Sequence, residues 1–190
     1  MPEHYIISDL CIGANAAVRT VVLASETPIA DISTVYIDSH SRTSAALSKI
    51  LAKHYWKIEP VWVQFSGDIT CYPRNGSSAA VIIGDKAFSV QTPYICDLAV
   101  EWRTFSGLPF VFACWVANKP IDKDFINRFN NAMKNITDNI NAIVEYYREK
   151  TPNGVDLYEY WSKNISYPLT ADKLEGMNLF LKYAMDIADR

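Results

Sequence analysis

A run of hydroxyl side chains around one arginine, Ser41-Arg42-Thr43-Ser44, is the segment of this chain whose residue types best suit binding chemistry. It follows the apolar strand pattern Val35–Ile37, and apolar residues recur at helical spacing after it. The first N–H groups of a helix lack partners within the helix, and the helix dipole adds positive charge there. The segment could therefore hold an anion such as a carboxylate. A plain N-cap with a solvated arginine suits the same residues, and the segment alone leaves both interpretations open.

The composition indicates an ordinary folded protein and excludes one class of partner. Of the 190 residues, 49% are hydrophobic, which is enough apolar side chain for a core in one or two compact domains. The formal net charge is -3, and no lysine- or arginine-rich run is interleaved with aromatic residues. We therefore expect no nucleic-acid partner.

The cysteines and histidines show no metal-ligand spacing. The four cysteines are far apart with no CxxC pair, and the three histidines form no HxxxH or HExxH motif. We expect no metal site, and we expect reduced thiols that are buried and inert. No basic region followed by a long apolar stretch is present, so we predict no membrane partner and a cytoplasmic location.

Apolar runs alternate with short helical patterns in the first two thirds of the chain, which predicts an α/β fold. A helix over Thr43–Tyr55 between two strands gives a βαβ pattern. A leading strand, Tyr5–Ile7, is expected to add to a sheet edge or to lack its neighbours. The predicted strands are Tyr5–Ile7, Val21–Ala24, Val35–Ile37, Val61–Gln64, Ala80–Ile83 and Phe110–Val116.

The pattern of the remaining third predicts helices. A long amphipathic helix is predicted from Ile121 to about Arg148, with a break near Asn135 or Asn139. A short helix around Val155–Ser162 follows it. The pattern predicts a final helix from Ala171 to Ile187 whose inward face carries Leu174, Met177, Phe180, Leu181 and Ala184.

A set of sequence blocks follows in a fixed order along nearly the whole chain: Tyr5–Gly13, Val18–Leu23, Ser41–Ser44, Ile83–Ala87, Tyr94–Leu98, Glu101-Trp102 and Ser106–Ala117. In order and spacing these blocks resemble one family, the chorismate dehydratases that open the futalosine route to menaquinone. The sister enzyme of the pathway, dihydroxynaphthoate synthase, shares the fold but has a glycine- and threonine-rich loop in place of residues 41–44, so the dehydratase is the better match.

The resemblance implies a type II periplasmic-binding-protein-like fold, with two α/β lobes and the ligand in the cleft between them. By this interpretation residues 1–22 are a remnant of lobe one and the crossover, residues 23–115 are lobe two, and residues 116–190 return to lobe one. Family members begin with strand–helix–strand–helix elements that do not match here, so the first lobe is expected to be incomplete.

The activity that the resemblance implies is a lyase step, the removal of water from chorismate to give 3-[(1-carboxyvinyl)oxy]benzoate, without metal or organic cofactor. Because part of lobe one is expected to be missing, we expect this chain alone to be weakly active or inactive.

The resemblance also implies where the substrate binds. The hydroxyl and arginine segment would hold a carboxylate, and Asp85 would contact a substrate hydroxyl or, equally well, cap the next segment. Asp97, Glu101 and Trp102 are interpreted as structural. The acid and base stay unassigned. The expected substrate-binding residues are Ser41, Arg42, Thr43, Ser44, Gly84 and Asp85.

Two other hypotheses stay open. The chain could be a non-catalytic binding module for a small cyclic carboxylate. Two chains could also complete each other's first lobe by exchanging elements, giving a homo-oligomer through the incomplete lobe. In either case we expect exposed apolar surface around Tyr5–Ile7 and on the C-terminal helices.

Overall fold

Two β-sheets and a set of helices make up the mixed α/β architecture of this computed structural model, which describes residues 4–38, 41–151 and 154–188. The strands are β1 (Tyr5–Ala14), β2 (Val21–Ser25), β3 (Thr34–Asp38), β4 (Val61–Phe65), β5 (Ser78–Ile83), β6 (Tyr94–Asp97), β7 (Phe110–Ala117) and β8 (Ser166–Pro168).

The larger sheet has five strands in the order β4-β3-β5-β2-β6. Strand β3 is parallel to β4 and β5, whereas β2 is antiparallel to β5 and β6. Every residue of β2 is buried, and so is every residue of β5 except Ile83. Strands covered on both faces favour continuous apolar runs, which is why both could be predicted. The short β6 was not predicted, because only Tyr94 and Ile95 form an apolar pair before Cys96 and Asp97.

The smaller sheet has three antiparallel strands in the order β7-β1-β8. Strand β1 runs for ten residues, well beyond the predicted Tyr5–Ile7. The prediction stopped short because the polar Ser8 and Asp9 interrupt the apolar run. Tyr5 and Ile6 pair with β7, and β8 joins the other side of β1 at Leu10 and Gly13. The strand as a whole is therefore central, while its predicted first part has a neighbour in β7 and lies beyond the part that pairs with β8. Strand β8, only three residues long and ending in Pro168, was not predicted.

The helices largely follow the predicted pattern. The π-helical turns Ala52–Trp56 and Tyr160–Asn164 continue α1 and α5 directly. The long helix breaks at Asn139, whose side-chain amide donates to the Asn135 carbonyl oxygen at 2.6 Å. The helices are α1 (Arg42–Leu51), α2 (Leu98–Ser106), α3 (Lys123–Asp138), α4 (Ile140–Tyr147), α5 (Leu157–Glu159) and α6 (Ala171–Ala188).

The buried face of α6 matches the predicted one in part. Four of the five predicted residues are buried or half-buried, whereas Leu181 is 48% exposed, and Lys173 and Gly176 are buried although they were not predicted. A Cβ on Gly176 would lie 2.4 Å from the Pro109 carbonyl oxygen, so this helix can approach the chain before β7 only with glycine there. That close contact turns the helix and brings the lysine inward, which the apolar spacing alone does not predict.

One apolar cluster connects the two sheets. It contains Leu23 and Val35 from the larger sheet and Phe110 from the smaller one, with Trp102 of α2 and Phe180 of α6 packed between them. The Trp102 ring contacts both phenylalanine rings edge to face. The sheets are therefore held by a shared core.

The cysteines are less uniformly buried than we expected. Cys11 is buried, Cys96 and Cys114 are half-buried, and Cys71 is exposed, so the expectation of four buried thiols was wrong. Cys71 is the last residue of a short 3₁₀ turn, Ile69–Cys71, in which Ile69 and not Cys71 is buried.

Within the part of the chain that the structure describes, no helix is long and apolar enough to cross a membrane.

Candidate functional site

The hydroxyl and arginine segment lies where the chain leaves β3 and enters α1, at the carboxyl end of a central parallel strand. Strand β5 is parallel to β3 and ends beside it, and Gly84 follows directly. Ligands of open α/β sheets bind in the crevice outside the carboxyl ends of the strands. Both predicted binding segments therefore lie at this one edge of the larger sheet.

The N-terminus of α1 has N–H groups available to a ligand. The first hydrogen bond of the helix joins the Ala45 N–H to the Ser41 carbonyl oxygen at 3.1 Å. The Ser41 side chain makes no capping hydrogen bond with any residue that the structure describes. Among the described residues, the N-cap side chain therefore leaves the first N–H groups of the helix to another partner, an arrangement that favours an anion.

A pocket of about 410 Å³ opens at this helix end, between the two sheets. Its volume lies within the range of about 300–1,000 Å³ typical of small-molecule sites. Its polar lining residues are Thr20, Ser41, Arg42, Thr43, Ser44 and Tyr160. Its other lining residues, from both sheets and the segments beside them, are Ile12, Val18, Val21, Ile83, Gly84, Phe112 and Ile165. The structure thus brings five of the six predicted binding residues to one pocket.

Arg42 supplies the positive charge of this pocket. Its side chain is exposed, and no carboxylate among residues 4–38, 41–151 and 154–188 lies within ion-pairing distance of it. An arginine is the side chain best shaped for two parallel hydrogen bonds to a carboxylate. The pocket therefore combines a helix N-terminus and a guanidinium group, both of which favour a negatively charged ligand.

Gly84 closes the pocket on the β5 side. Its φ of +67° lies in the left-handed region that favours glycine, and its N–H donates to the Thr20 carbonyl oxygen at 2.8 Å. This bond ties the β5 edge to the crossover between β1 and β2. Asp85, in contrast, is exposed and lies outside the pocket lining, although its charge reaches the Tyr160 hydroxyl.

Tyr160 and Thr20 are polar residues of the site that sequence reasoning missed. The two hydroxyl oxygens lie 2.8 Å apart, and the Tyr160 ring packs edge to face on Phe88. Burial raises the pKa of Tyr160, with a smaller rise from the Asp85 carboxylate, so its hydroxyl stays protonated at neutral pH. Tyr160 starts a π-helical turn, a feature often found at functional sites, but no sequence pattern indicated it.

The residues that we interpreted as structural make structural contacts. Asp97 caps α2 by accepting from the Ala99 N–H at 3.0 Å. Its other oxygen accepts from the backbone N–H of Arg19 at 2.6 Å. Arg19 has a left-handed φ of 66°. Glu101 accepts from the Trp56 indole N–H at 2.8 Å, and Trp102 is fully buried. Asp97 therefore fixes the crossover that carries Thr20 into the pocket.

No group of three or more potential metal ligands occurs among the described residues. His40, which adjoins the hydroxyl and arginine segment, lies outside them. The lining groups that carry hydrogen-bonding side chains are four hydroxyl residues, a phenol and a guanidinium group. This set suits oxygen-rich anionic ligands.

A family model for menaquinone biosynthesis matches residues 1–186, which is nearly the whole chain. The match includes both sheets and every residue that lines the pocket.

Proposed function

The chain belongs to the menaquinone-biosynthesis family, and from this premise we propose that it acts on chorismate and removes water to give 3-[(1-carboxyvinyl)oxy]benzoate. The observation that carries this proposal is the pocket at the α1 N-terminus, where Arg42 and the first N–H groups of the helix, which the Ser41 side chain does not cap, meet between the two sheets. Chorismate offers two carboxylates to such a site. The loss of water changes no oxidation state overall, and the aromatic ring that the product gains drives the reaction.

The carboxylate contacts follow from the geometry of the helix end. One carboxylate of chorismate accepts from the N–H groups and hydroxyls of Thr43 and Ser44, and Arg42 pairs with it from the exposed side. Charge-assisted hydrogen bonds of this kind are worth about 1.5–3 kcal/mol each. The helix end therefore fixes the position of the ring relative to the rest of the pocket.

The opposite wall of the pocket faces the remaining polar atoms of the ring. Tyr160, protonated at neutral pH and paired with Thr20, donates a hydrogen bond to the C4 hydroxyl and assists its departure. The apolar side chains of Ile12 and Phe112 exclude water from the ring face. Fixing the substrate in this way lowers the barrier chiefly by orientation. The base that removes the C3 proton is not assigned.

We further propose that the two sheets correspond to the two lobes of a periplasmic-binding-protein-like fold. Strands β2 to β6 form the second lobe, and β1, β7 and β8 belong to the first. The chain crosses between them before β2 and again before β7. By sheet membership the second boundary falls before Phe110, ahead of the boundary at residue 115 that the resemblance implies. A substrate bound in the cleft would then contact both lobes.

Product analysis tests the proposed reaction. The purified chain is held in excess over chorismate, so that even slow turnover is detected, and the products are followed by liquid chromatography and mass spectrometry. The expected result is a product lighter than chorismate by one water, with the retention time of 3-[(1-carboxyvinyl)oxy]benzoate. Chorismate incubated without protein controls for its spontaneous decay, and Tyr160→Phe should form the product more slowly.

Two other outcomes are informative. If chorismate binds but loses no water, the chain is a binding module for a small cyclic carboxylate. If chorismate neither binds nor reacts, both the proposed substrate and the proposed site are wrong.

A further inference from the structure

Two of the four cysteines occupy directly opposite positions on neighbouring strands. Cys11 of β1 and Cys114 of β7 are Cα partners in the antiparallel ladder, and the next pair, Ile12 with Ala113, keeps the same register. Directly opposite residues of an antiparallel pair have Cα atoms about 4.5–5.5 Å apart. A disulfide requires about 4.4–6.8 Å between the same atoms, so the backbones already stand at bonding distance.

Both thiols also point to the same side of the smaller sheet. The Cys11 Sγ lies 3.8 Å from the Lys173 Nζ, and the Cys114 Sγ lies 4.0 Å from the Met177 Sδ. Lys173 and Met177 are four residues apart and so lie on the same face of α6. Both sulfur atoms therefore lie beneath one helix face. The Cys11 Sγ also lies 3.8 Å from the Ser166 and Pro168 carbonyl oxygens of β8, so this side chain has to turn towards β7 to form the bond.

The two thiols differ in their accessibility. Cys11 is only 4% exposed, whereas Cys114 is half-buried and lines an apolar groove of about 420 Å³ between β7 and α6. A small oxidant can therefore reach Cys114 first. Cys11 lies next to it and can resolve the resulting mixed disulfide without meeting the oxidant itself.

From this arrangement we propose that Cys11 and Cys114 are a redox modification site, forming a reversible cross-strand disulfide when the protein meets a small-molecule disulfide such as oxidised glutathione. The Cys114 thiolate attacks this disulfide, and one glutathione leaves and takes up a proton. The Cys11 thiolate then attacks the Cys114 sulfur, and the second glutathione leaves. Two protein thiols and one oxidised glutathione thus become one protein disulfide and two reduced glutathione molecules.

The surroundings of the pair determine its rate of oxidation. Burial raises the pKa of both thiols above their usual value, although the Lys173 ammonium partly opposes this effect at Cys11. Few thiolates are therefore present at neutral pH, and the disulfide forms slowly there. Below the thiol pKa values the rate should rise about tenfold per pH unit, since the thiolate fraction rises in that proportion.

Peptide mapping tests the proposal directly. The folded protein is incubated with oxidised glutathione at pH 7 and pH 8, alkylated, and digested with trypsin without reduction. Each cysteine lies in its own tryptic peptide, so the linkage can be assigned without ambiguity. The expected product joins the peptide of residues 1–19 to the peptide that begins at Thr104, in greater yield at pH 8, and a reducing agent releases it.

Matched variants separate this linkage from general oxidation. Cys114→Ser should abolish the linked peptide, whereas Cys96→Ser, which removes another half-buried strand cysteine, should leave it unchanged. Circular dichroism should show that both variants are folded. The proposal is overturned if Cys11 and Cys114 stay fully alkylatable in the oxidised wild type. It is equally overturned if Cys114 retains glutathione without resolution, or if either cysteine links to a different one.

Discussion

The two sheets of this protein bury their side chains to very different extents. In the larger sheet β2 is buried throughout, and β5 is buried except at Ile83. Around the smaller sheet, β7 exposes Trp115 and Val116, and no residue of α3 or α4 is buried among those the structure describes. Apolar patterning is strong in both regions. The difference shows that an amphipathic pattern predicts that an element forms, not how much of its apolar face finds a partner.

The regions also fill their interiors differently. The larger sheet and α2 pack aromatic and aliphatic side chains around Trp102, which is fully buried. Beside the smaller sheet, α6 places the fully buried Lys173 against β8, where its ammonium donates to the Ser166 and Pro168 carbonyl oxygens, each at 2.7 Å. The proposed site lies between an apolar scaffold and a more polar one.

The largest effect is expected from the comparison of two tryptophan truncations. Trp102→Ala removes a fully buried ring and should lower the free energy of unfolding by about 3–5 kcal/mol. Trp115→Ala removes a ring that is 47% exposed and contacts Phe129 edge to face, and it should cost about 1 kcal/mol. Urea unfolding of both variants beside the wild type measures the difference. Equal costs would show that the two regions are not packed differently.

A smaller effect is expected from Lys173→Met, which should change how the free energy of unfolding depends on pH. Burial lowers the pKa of Lys173 below its ordinary value of 10.5. The unfolded chain therefore binds more protons at this position than the folded chain, and the wild type should gain stability as pH rises towards 10.5. The methionine of the variant cannot titrate. As pH rises, the difference in free energy of unfolding between the two proteins should therefore shift in favour of the wild type, by at most about 1.4 kcal/mol per pH unit for one group.

Neighbouring groups do not reverse this sign. Removing the ammonium raises the pKa of the Cys11 thiol further, which weakens the variant relative to the wild type at high pH. Asp172, whose pKa is lowered, is ionised in both proteins above neutral pH. Thermal unfolding between pH 7 and pH 10 measures the difference. A shift in favour of the variant would mean that burial does not dominate the environment of Lys173.

The elements of the larger sheet could be predicted where residues close together in sequence form a recognisable pattern. Apolar runs mark β2, β3, β4 and β5, and the spacing after Thr43 marks α1. The hydroxyl and arginine segment could be placed at the start of this helix from its residue types alone. These features depend on neighbouring residues in the chain, so one sequence suffices to find them.

The features that were missed depend on contacts between distant parts of the chain. Tyr160 reaches the pocket by pairing with Thr20, 140 positions away in sequence. The register that opposes Cys11 to Cys114 is set by a ladder that closes over most of the chain. Lys173 is buried because Gly176 fits against Pro109. None of these contacts leaves a local pattern.

Equilibrium binding of chorismate, measured by isothermal titration calorimetry, tests most directly the claim that the α1 N-terminus holds a substrate carboxylate. The wild type is compared with Arg42→Gln and with a matched control, Arg74→Gln, which removes an arginine that pairs with Glu26 and does not line the pocket. The account predicts that Arg42→Gln weakens binding by about tenfold to a hundredfold, the loss of one charge-assisted interaction, while the control binds as the wild type does. Equal affinity in all three proteins, or no binding by the wild type, would contradict the account.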